Sequence, residues 1–107
     1  MTEKQLKQFV SLKREIAEEC KRMKYMRSNK NIKIADAIDK KINKLNQEQF
    51  DIETFVENID DSLIRRIIIA RYIEGKSWKS VAQKIGGNNT ASSVQAICRR
   101  WLRRNLS

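Results

Sequence analysis

The sequence predicts an all-α chain, with an N-terminal antiparallel helical hairpin followed by a C-terminal helix-turn-helix. Two observations carry that expectation. Apolar residues recur at steps of three and four in segment after segment, the spacing that places them on one face of a helix. Residues suited to helix ends also punctuate the C-terminal half: Asp60 or Asp61, Ser77 and Thr90 stand where helices should start, and Gly75 and Gly86 where they should stop. Short polar side chains satisfy the free N–H groups of a helix start, and glycine tolerates the left-handed conformation of a helix stop. An apolar share of 40% is enough to build a core, so global disorder is not expected.

The first helix is expected from Thr2 to Ser28. Phe9, Leu12, Ile16, Cys20, Met23 and Met26 form a seam for another helix, widened by Leu6, Val10 and Ala17. Ser28, Asn29, Lys30 and Asn31 read as the turn. A second helix follows with Ile34, Ala35, Ile38, Ile42 and Leu45 on one side and Lys33, Asp36, Asp39, Lys40, Lys41 and Lys44 elsewhere. Two amphipathic helices joined by a short turn make an antiparallel hairpin, residues 1–47, for oligomerisation or partner binding. At ~1.5 Å per residue the first helix is about 40 Å long and the second shorter. Part of the first seam is then left to cover the C-terminal unit or a second copy of the chain, and a homodimer through the hairpin is the expectation.

Composition shifts after residue 47. Glu48, Asp51, Glu53, Glu57, Asp60 and Asp61 occur with no Lys or Arg among them, while Ile52, Phe55, Val56 and Ile59 keep a helical stripe. A short acidic helix is expected, packed under the basic helices to offset their charge or serving as a docking surface for a basic partner. These carboxylates lack the glycine and alternating oxygen ligands of a calcium loop.

Residues 48–107 are expected to form the DNA-binding domain. Its central support is the helix from Asp60 or Asp61 to Gly75, with Leu63, Ile64, Ile67, Ile68, Tyr72 and Ile73 inward and Arg65, Arg66 and Arg71 on the remaining surface. The next helix, between Ser77 and Gly86, offers Trp78, Val81, Ala82 and Ile85 to the core. The last, after Thr90, offers Val94, Ile97, Cys98 and Trp101. Tyr72, Trp78 and Trp101 are the expected core anchors.

Opposite that last stripe lie Ser92, Ser93, Gln95, Ala96, Arg99, Arg100 and Arg103. A short polar and basic face on a helix held by a compact partner is what entry into the DNA major groove requires. The plainer alternative is a solvated basic face on a generic hairpin. Against it, no Asp or Glu follows Glu74, so Lys76, Lys79, Lys84, Arg99, Arg100, Arg103 and Arg104 have no local compensation, whereas solvated helices mix signs. The net charge of +10 favours a polyanionic partner. Ser92, Ser93, Gln95 and Arg99 are the candidates for base edges, since Arg bridges guanine and Gln adenine. Lys76, Lys79, Lys84, Thr90, Arg100, Arg103 and Arg104 are the candidates for phosphate, which positions without specifying.

Other classes find little support. Cys20 and Cys98 stand apart and the chain has no His, so neither a zinc site nor a disulfide framework is expected. Without His, a phosphate-cradling loop or paired carboxylates, nothing assembles a nucleophile with a base, and neither enzyme activity nor a cofactor is expected. No apolar run approaches the ~20 residues of a membrane span. The opening MTEKQLKQF lacks the apolar core of a signal peptide, so the expected location is cytoplasmic, at the nucleoid of a bacterial host. Richness in Lys, Ile and Asn suits an AT-rich bacterial or phage genome.

The run LIRRIIIARYIEGKSWKSVAQKIG resembles the first two helices of the sigma-70 region 4-like helix-turn-helix found in small phage-encoded transcriptional regulators of the ArpU and RinA type. The matching pieces are Arg71-Tyr72-Ile73, Gly75, Ser77-Trp78, Val81-Ala82, Ile85-Gly86, then Val94 and Ile97. The resemblance covers roughly Asp60 to Asn105 and leaves the hairpin unexplained. The link Gly86-Gly87-Asn88-Asn89-Thr90 is longer than the family's usual turn. The resemblance implies regulation of phage or prophage transcription, often of late genes, and an encounter with RNA polymerase. Two alternatives stay open. A phage terminase small subunit also joins a helix-turn-helix to helical oligomerisation elements, although there the DNA-binding unit usually comes first. An adaptor would bind a partner through its hairpin, with an incidental basic end.

Overall fold

A computed structural model describes residues 1–106 of the chain. Among them are the α-helices α1 (Glu3–Lys7), α2 (Phe9–Ser28), α3 (Ile32–Glu57), α4 (Ser62–Ile68), α5 (Trp78–Ile85) and α6 (Ala91–Asn105), with a π-helical turn, Ile69–Ile73, directly after α4. No strand occurs among the described residues. The chain is all-helical, as its periodicity predicts.

The expected helix over Thr2–Ser28 is divided. Thr2 starts α1 with a capping box, its Oγ1 accepting from the Gln5 N–H at 3.1 Å while Gln5 Oε1 accepts from the Thr2 N–H at 2.8 Å. Six residues later the Gln8 N–H donates to the Gln5 carbonyl at 3.2 Å, a tight three-residue bond that ends α1 before α2 begins at Phe9. Neither Gly nor Pro stands there, so the break has no local signal.

The turn after α2 falls where expected. Lys30 takes a left-handed φ of 59°, and the Asn31 N–H reaches back to the Met26 carbonyl at 2.8 Å, closing the open carbonyls of α2. The relation of lengths is reversed, however: α3 has 26 residues and α2 has 20. No separate acidic helix exists over residues 48–61, because its expected stripe continues the earlier one. Ala35, Ile38, Ile42, Leu45, Ile52 and Val56 are all buried, with half-buried Gln49 between Leu45 and Ile52. A change in charge composition does not stop a helix whose apolar stripe runs on.

The chain divides into two compact units, residues 11–51 and residues 1–10 with 52–107. The expected boundary after residue 47 therefore falls inside α3, and the first ten residues belong with the C-terminal unit. In the smaller unit Leu12, Ala35, Ile38, Ile42 and Leu45 are buried together with one carboxylate, Glu19. Lys41 donates to Glu19 at 3.2 Å and Arg22 donates at 2.9 and 3.1 Å. The hydrogen bond from Lys41 holds the Glu19 carboxyl below the usual glutamate range, against the opposing effect of burial, and Arg22 adds to the depression. Ile34, expected on the inward stripe, is 43% exposed.

In the larger unit Asp61 caps α4, its Oδ1 accepting from the Ile64 N–H at 3.1 Å, and Arg65 donates to the Ile59 carbonyl at 2.7 Å to hold the link from α3. The π-helical turn is closed by the Glu74 N–H donating to the Ile69 carbonyl at 2.8 Å, and Gly75 just beyond it takes φ of 71°. Leu6, Phe9, Ile67, Ile68, Val81, Val94, Cys98 and Leu102 are buried. Val10 and Leu63, both expected inward, are exposed.

The tryptophans are not the fully buried anchors expected. On α6 the buried residues are Val94, Cys98 and Leu102, successive positions four apart, while Ile97 and Trp101 are half-buried beside them. Trp101 packs at the rim against Phe55, with ring centroids 6.4 Å apart and planes tilted by 56°. Trp78, also half-buried, meets the edge of Tyr72 at 6.4 Å and is covered by the Arg71 guanidinium at 4.7 Å from its centroid. Burial pushes the Tyr72 hydroxyl up to about 12 and the neighbouring Cys98 thiol up to about 11, so both stay protonated at neutral pH.

Candidate nucleic-acid interface

The local sequence places α5 and α6 through their caps. Ser77 Oγ accepts from the Ser80 N–H at 3.2 Å to start α5, and Gly86, with φ of 80°, ends it. A Cβ on Gly86 would meet open space, so the position requires glycine for its backbone conformation rather than for room. The link to α6 is held by Asn89, whose side chain donates to the Gly86 carbonyl at 2.9 Å. Thr90 then starts α6, its Oγ1 accepting from the Ser93 N–H at 3.1 Å.

That cap also engages one expected base reader. Ser93 Oγ accepts from the Thr90 N–H at 2.8 Å and donates to the Thr90 carbonyl at 3.0 Å. Its hydroxyl is committed to the helix end, whereas Ser92 is exposed beside it. Thr90, expected at phosphate, likewise spends its side chain on the cap.

Gln95 and Arg99, one turn apart, form a ridge with a concavity on each flank. On one side Ser92, Ala96, Arg100 and Arg103 complete a shallow basic hollow along α6. On the other side the wall is made by Glu3 and Lys7 of α1 with Arg71, Tyr72 and Trp78, in a groove of about 410 Å³. Arg104 does not share the first hollow; it lies with Arg100 and Trp101 near Asp61. Of the expected set, then, Ser92, Gln95, Arg99, Arg100 and Arg103 come together.

The lysines divide. Lys79 is exposed on α5. Lys84 and Lys76 are not uncompensated, because Glu74 pairs with Lys84 at 2.6 Å and with Lys76 at 3.6 Å. The hydrogen bond from Lys84 holds the Glu74 carboxyl below its usual range, with Lys76 adding to the effect. A carboxylate ten residues before Lys84 is outside the three- and four-residue spacings at which neighbours on one helix pair.

Three flanking residues stand outside the expected site set. Arg71 is half-buried rather than on the outer surface, stacked on Trp78 and donating to the Lys76 carbonyl at 3.0 Å. Its signal was present in the Arg71-Tyr72 pair ahead of Ser77-Trp78. Glu3 and Lys7 had none, since nothing in α1 announces that it lies beside α6. Among the described residues no cluster of His, Cys, Asp and Glu is arranged to hold a metal ion, and no helix is long and apolar enough to cross a membrane. No family model, curated protein or solved structure matches the chain.

Proposed function

We propose that the chain is a sequence-specific double-stranded DNA-binding protein in which α5, the Gly86–Thr90 link and α6 act as a helix-turn-helix. In this reading α2 and α3 form an antiparallel hairpin. The observation that carries it is the exposed face of α6. Ser92, Gln95, Arg99, Arg100 and Arg103 share that face without a carboxylate among them, while Val94, Cys98 and Leu102 fix the opposite side in the core. A helix so held presents a rigid cationic and amide-bearing surface to a polyanion, with the side-chain chemistry that reads purine edges. Ser92, Gln95 and Arg99 are assigned to bases. Lys79, Arg100 and Arg103 are assigned to phosphates, with Lys76 and Lys84 contributing only as Glu74 releases them.

Transcriptional regulation, as in the phage regulators that the Asp60 to Asn105 region resembles, is the process this reading favours, with RNA polymerase as a second contact. In the other unit Ile16, Cys20, Met23 and Met26 remain half-exposed, and self-association through that seam would bring two reading heads onto half-sites about 34 Å apart. The deciding experiment is selection of bound sites from randomised duplexes by the full chain, followed by titration at several salt concentrations. A recovered motif bound far more tightly than a scrambled duplex is expected. Recovery of no motif, with equal affinity for all sequences, overturns the reading and leaves a nonspecific polycation. Sedimentation reports the homodimer separately.

A further inference from the structure

We infer that α1 is part of the reading head and that Glu3 is a specificity-determining residue, restraining Lys7 and keeping phosphate out of the groove between α1 and α6. The inference rests on the reading of α6 as the DNA-facing helix.

The groove gathers three cations, Lys7, Arg71 and Arg99, and one carboxylate, Glu3, next to the amide of Gln95. Arg71 is already engaged by the Lys76 carbonyl and the Trp78 ring. The charges free to rearrange are therefore Lys7, Arg99 and Glu3. Lys7 is bound to Glu3 at 2.9 Å, with both side chains largely in solvent, 57% and 41% exposed. Their position is not accidental to a frayed end. Leu6 and Phe9 are completely buried in the same compact unit, and the Thr2 capping box fixes the first turn that carries Glu3.

A lone carboxylate beside a base-reading ridge acts in two ways. It repels any phosphate that slides into the groove, which penalises wrong registers and bare backbone binding. It also accepts hydrogen bonds from base amino groups, cytosine N4 above all, and so tolerates a base edge where it rejects a phosphate. By pairing with Lys7 it removes one cation from nonspecific attraction. Binding to random sequence, which is almost wholly electrostatic, is weakened more than binding to the preferred site.

The test compares the full wild-type chain with Glu3→Gln, Glu3→Gln/Lys7→Ala and, as a charge control in the other unit, Glu18→Gln. Each is titrated against the selected duplex and a scrambled one at several salt concentrations, and melting is followed for each. Glu3→Gln is expected to raise affinity for the scrambled duplex about 3–10-fold and to steepen its salt dependence by about one released counterion, while the preferred site gains less. Adding Lys7→Ala should return the scrambled affinity to near its wild-type value. Glu18→Gln should shift both duplexes by one common small factor. An unchanged ratio of preferred to scrambled affinity in Glu3→Gln, or one that moves no more than in Glu18→Gln, overturns the inference. So does a loss of both affinities together with a lowered melting temperature, which would mark Glu3 as merely structural. Thr2→Ala, which loosens the cap and keeps the charge, reproduces that structural pattern for comparison. If the wild-type chain does not distinguish the duplexes, the DNA-reading assignment of α6 falls and the inference falls with it. If the wild type discriminates and Glu3→Gln keeps the ratio, only the inference falls.

Discussion

Residues 11–51 bury a short apolar row and a carboxylate that must be satisfied by Lys41 and Arg22. Among the described residues, the unit of residues 1–10 and 52–107 buries a longer apolar set and no charged side chain. In the first, Lys41 also approaches Glu15 at 3.7 Å, and Arg27 approaches Asp36 at 3.7 Å. The second, whose core needs no charge to complete it, carries Arg99, Arg100 and Arg103 outward on α6. Basic composition is common to both units, and in the second Arg99, Arg100 and Arg103 gather with Ser92 and Gln95 along one hollow of α6. The difference lies in the cations at the core: Lys41 and Arg22 satisfy a buried carboxylate in the first, whereas Arg99, Arg100 and Arg103 are exposed on α6 in the second.

The strongest way to break that comparison is through the two cores. Ile67, completely buried in the larger unit, should cost ~3–5 kcal/mol on replacement by Ala, and Ile42 in the smaller unit nearer ~2–3 kcal/mol, because it retains some exposure and so loses less buried surface. Urea melts of both variants check this, and a larger loss for Ile42→Ala would contradict the contrast drawn above. Within α6 the same logic orders two neighbours. Leu102→Ala should destabilise by ~2–5 kcal/mol, and Trp101→Ala by less, since Trp101 sits at the rim against Phe55.

A smaller effect tests the outward charge. Arg99→Ala should cost ~1–3 kcal/mol on the preferred duplex and little on a scrambled one, measured by titration at fixed salt. Equal loss on both would remove Arg99 from the base readers and turn attention to the Arg100 and Arg103 side of the ridge.

The helix caps were legible because they are local chemistry. Asp61, Ser77 and Thr90 accept from N–H groups three residues on, and Gly75 and Gly86 take positive φ, all as their residue types demand. The face of α6 that carries Ser92, Gln95 and Arg99 was legible for the same reason, from spacing alone. What was not legible depends on partners distant in the chain. Leu102 is buried while Trp101 lies half-buried against Phe55, a partner from α3 that no spacing within α6 announces. α3 runs through residue 48 because its stripe has continuous support, and a composition shift carries no information about that. Ser93 looked like a reader because an exposed serine and a capping serine are the same letter. The groove containing Glu3 is tertiary in origin, and no periodicity within residues 1–10 points to α6.

Acid should separate the units next. A glutamate held below its usual range stabilises the fold above its unfolded value and loses that contribution as pH falls through its folded value. Glu19, buried and paired with Lys41, is the clearest such group in the smaller unit. Acidification below the ordinary glutamate range should lower the melting temperature of the wild type, and Glu19→Gln should flatten that dependence while melting lower at neutral pH. An unaltered acid limb in Glu19→Gln would show that the buried carboxylate does not govern it.

The smallest effect concerns Lys79 and Lys84 on α5. Lys79 is exposed, whereas Lys84 is held by Glu74 at 2.6 Å. Exposed ion pairs contribute little to stability, so neither substitution should move the melting temperature appreciably, and the distinction has to be read in the salt dependence of DNA binding. Lys79→Ala should reduce the slope by about one for every sequence, as expected for a lost phosphate contact. Lys84→Ala should reduce it by less, because DNA must first compete with Glu74 for that ammonium. Glu74→Gln should then raise the slope, by freeing Lys84 and Lys76 together. If Lys84→Ala matches Lys79→Ala while Glu74→Gln has no effect, the pair opens without cost on DNA and Glu74 does not temper the interface.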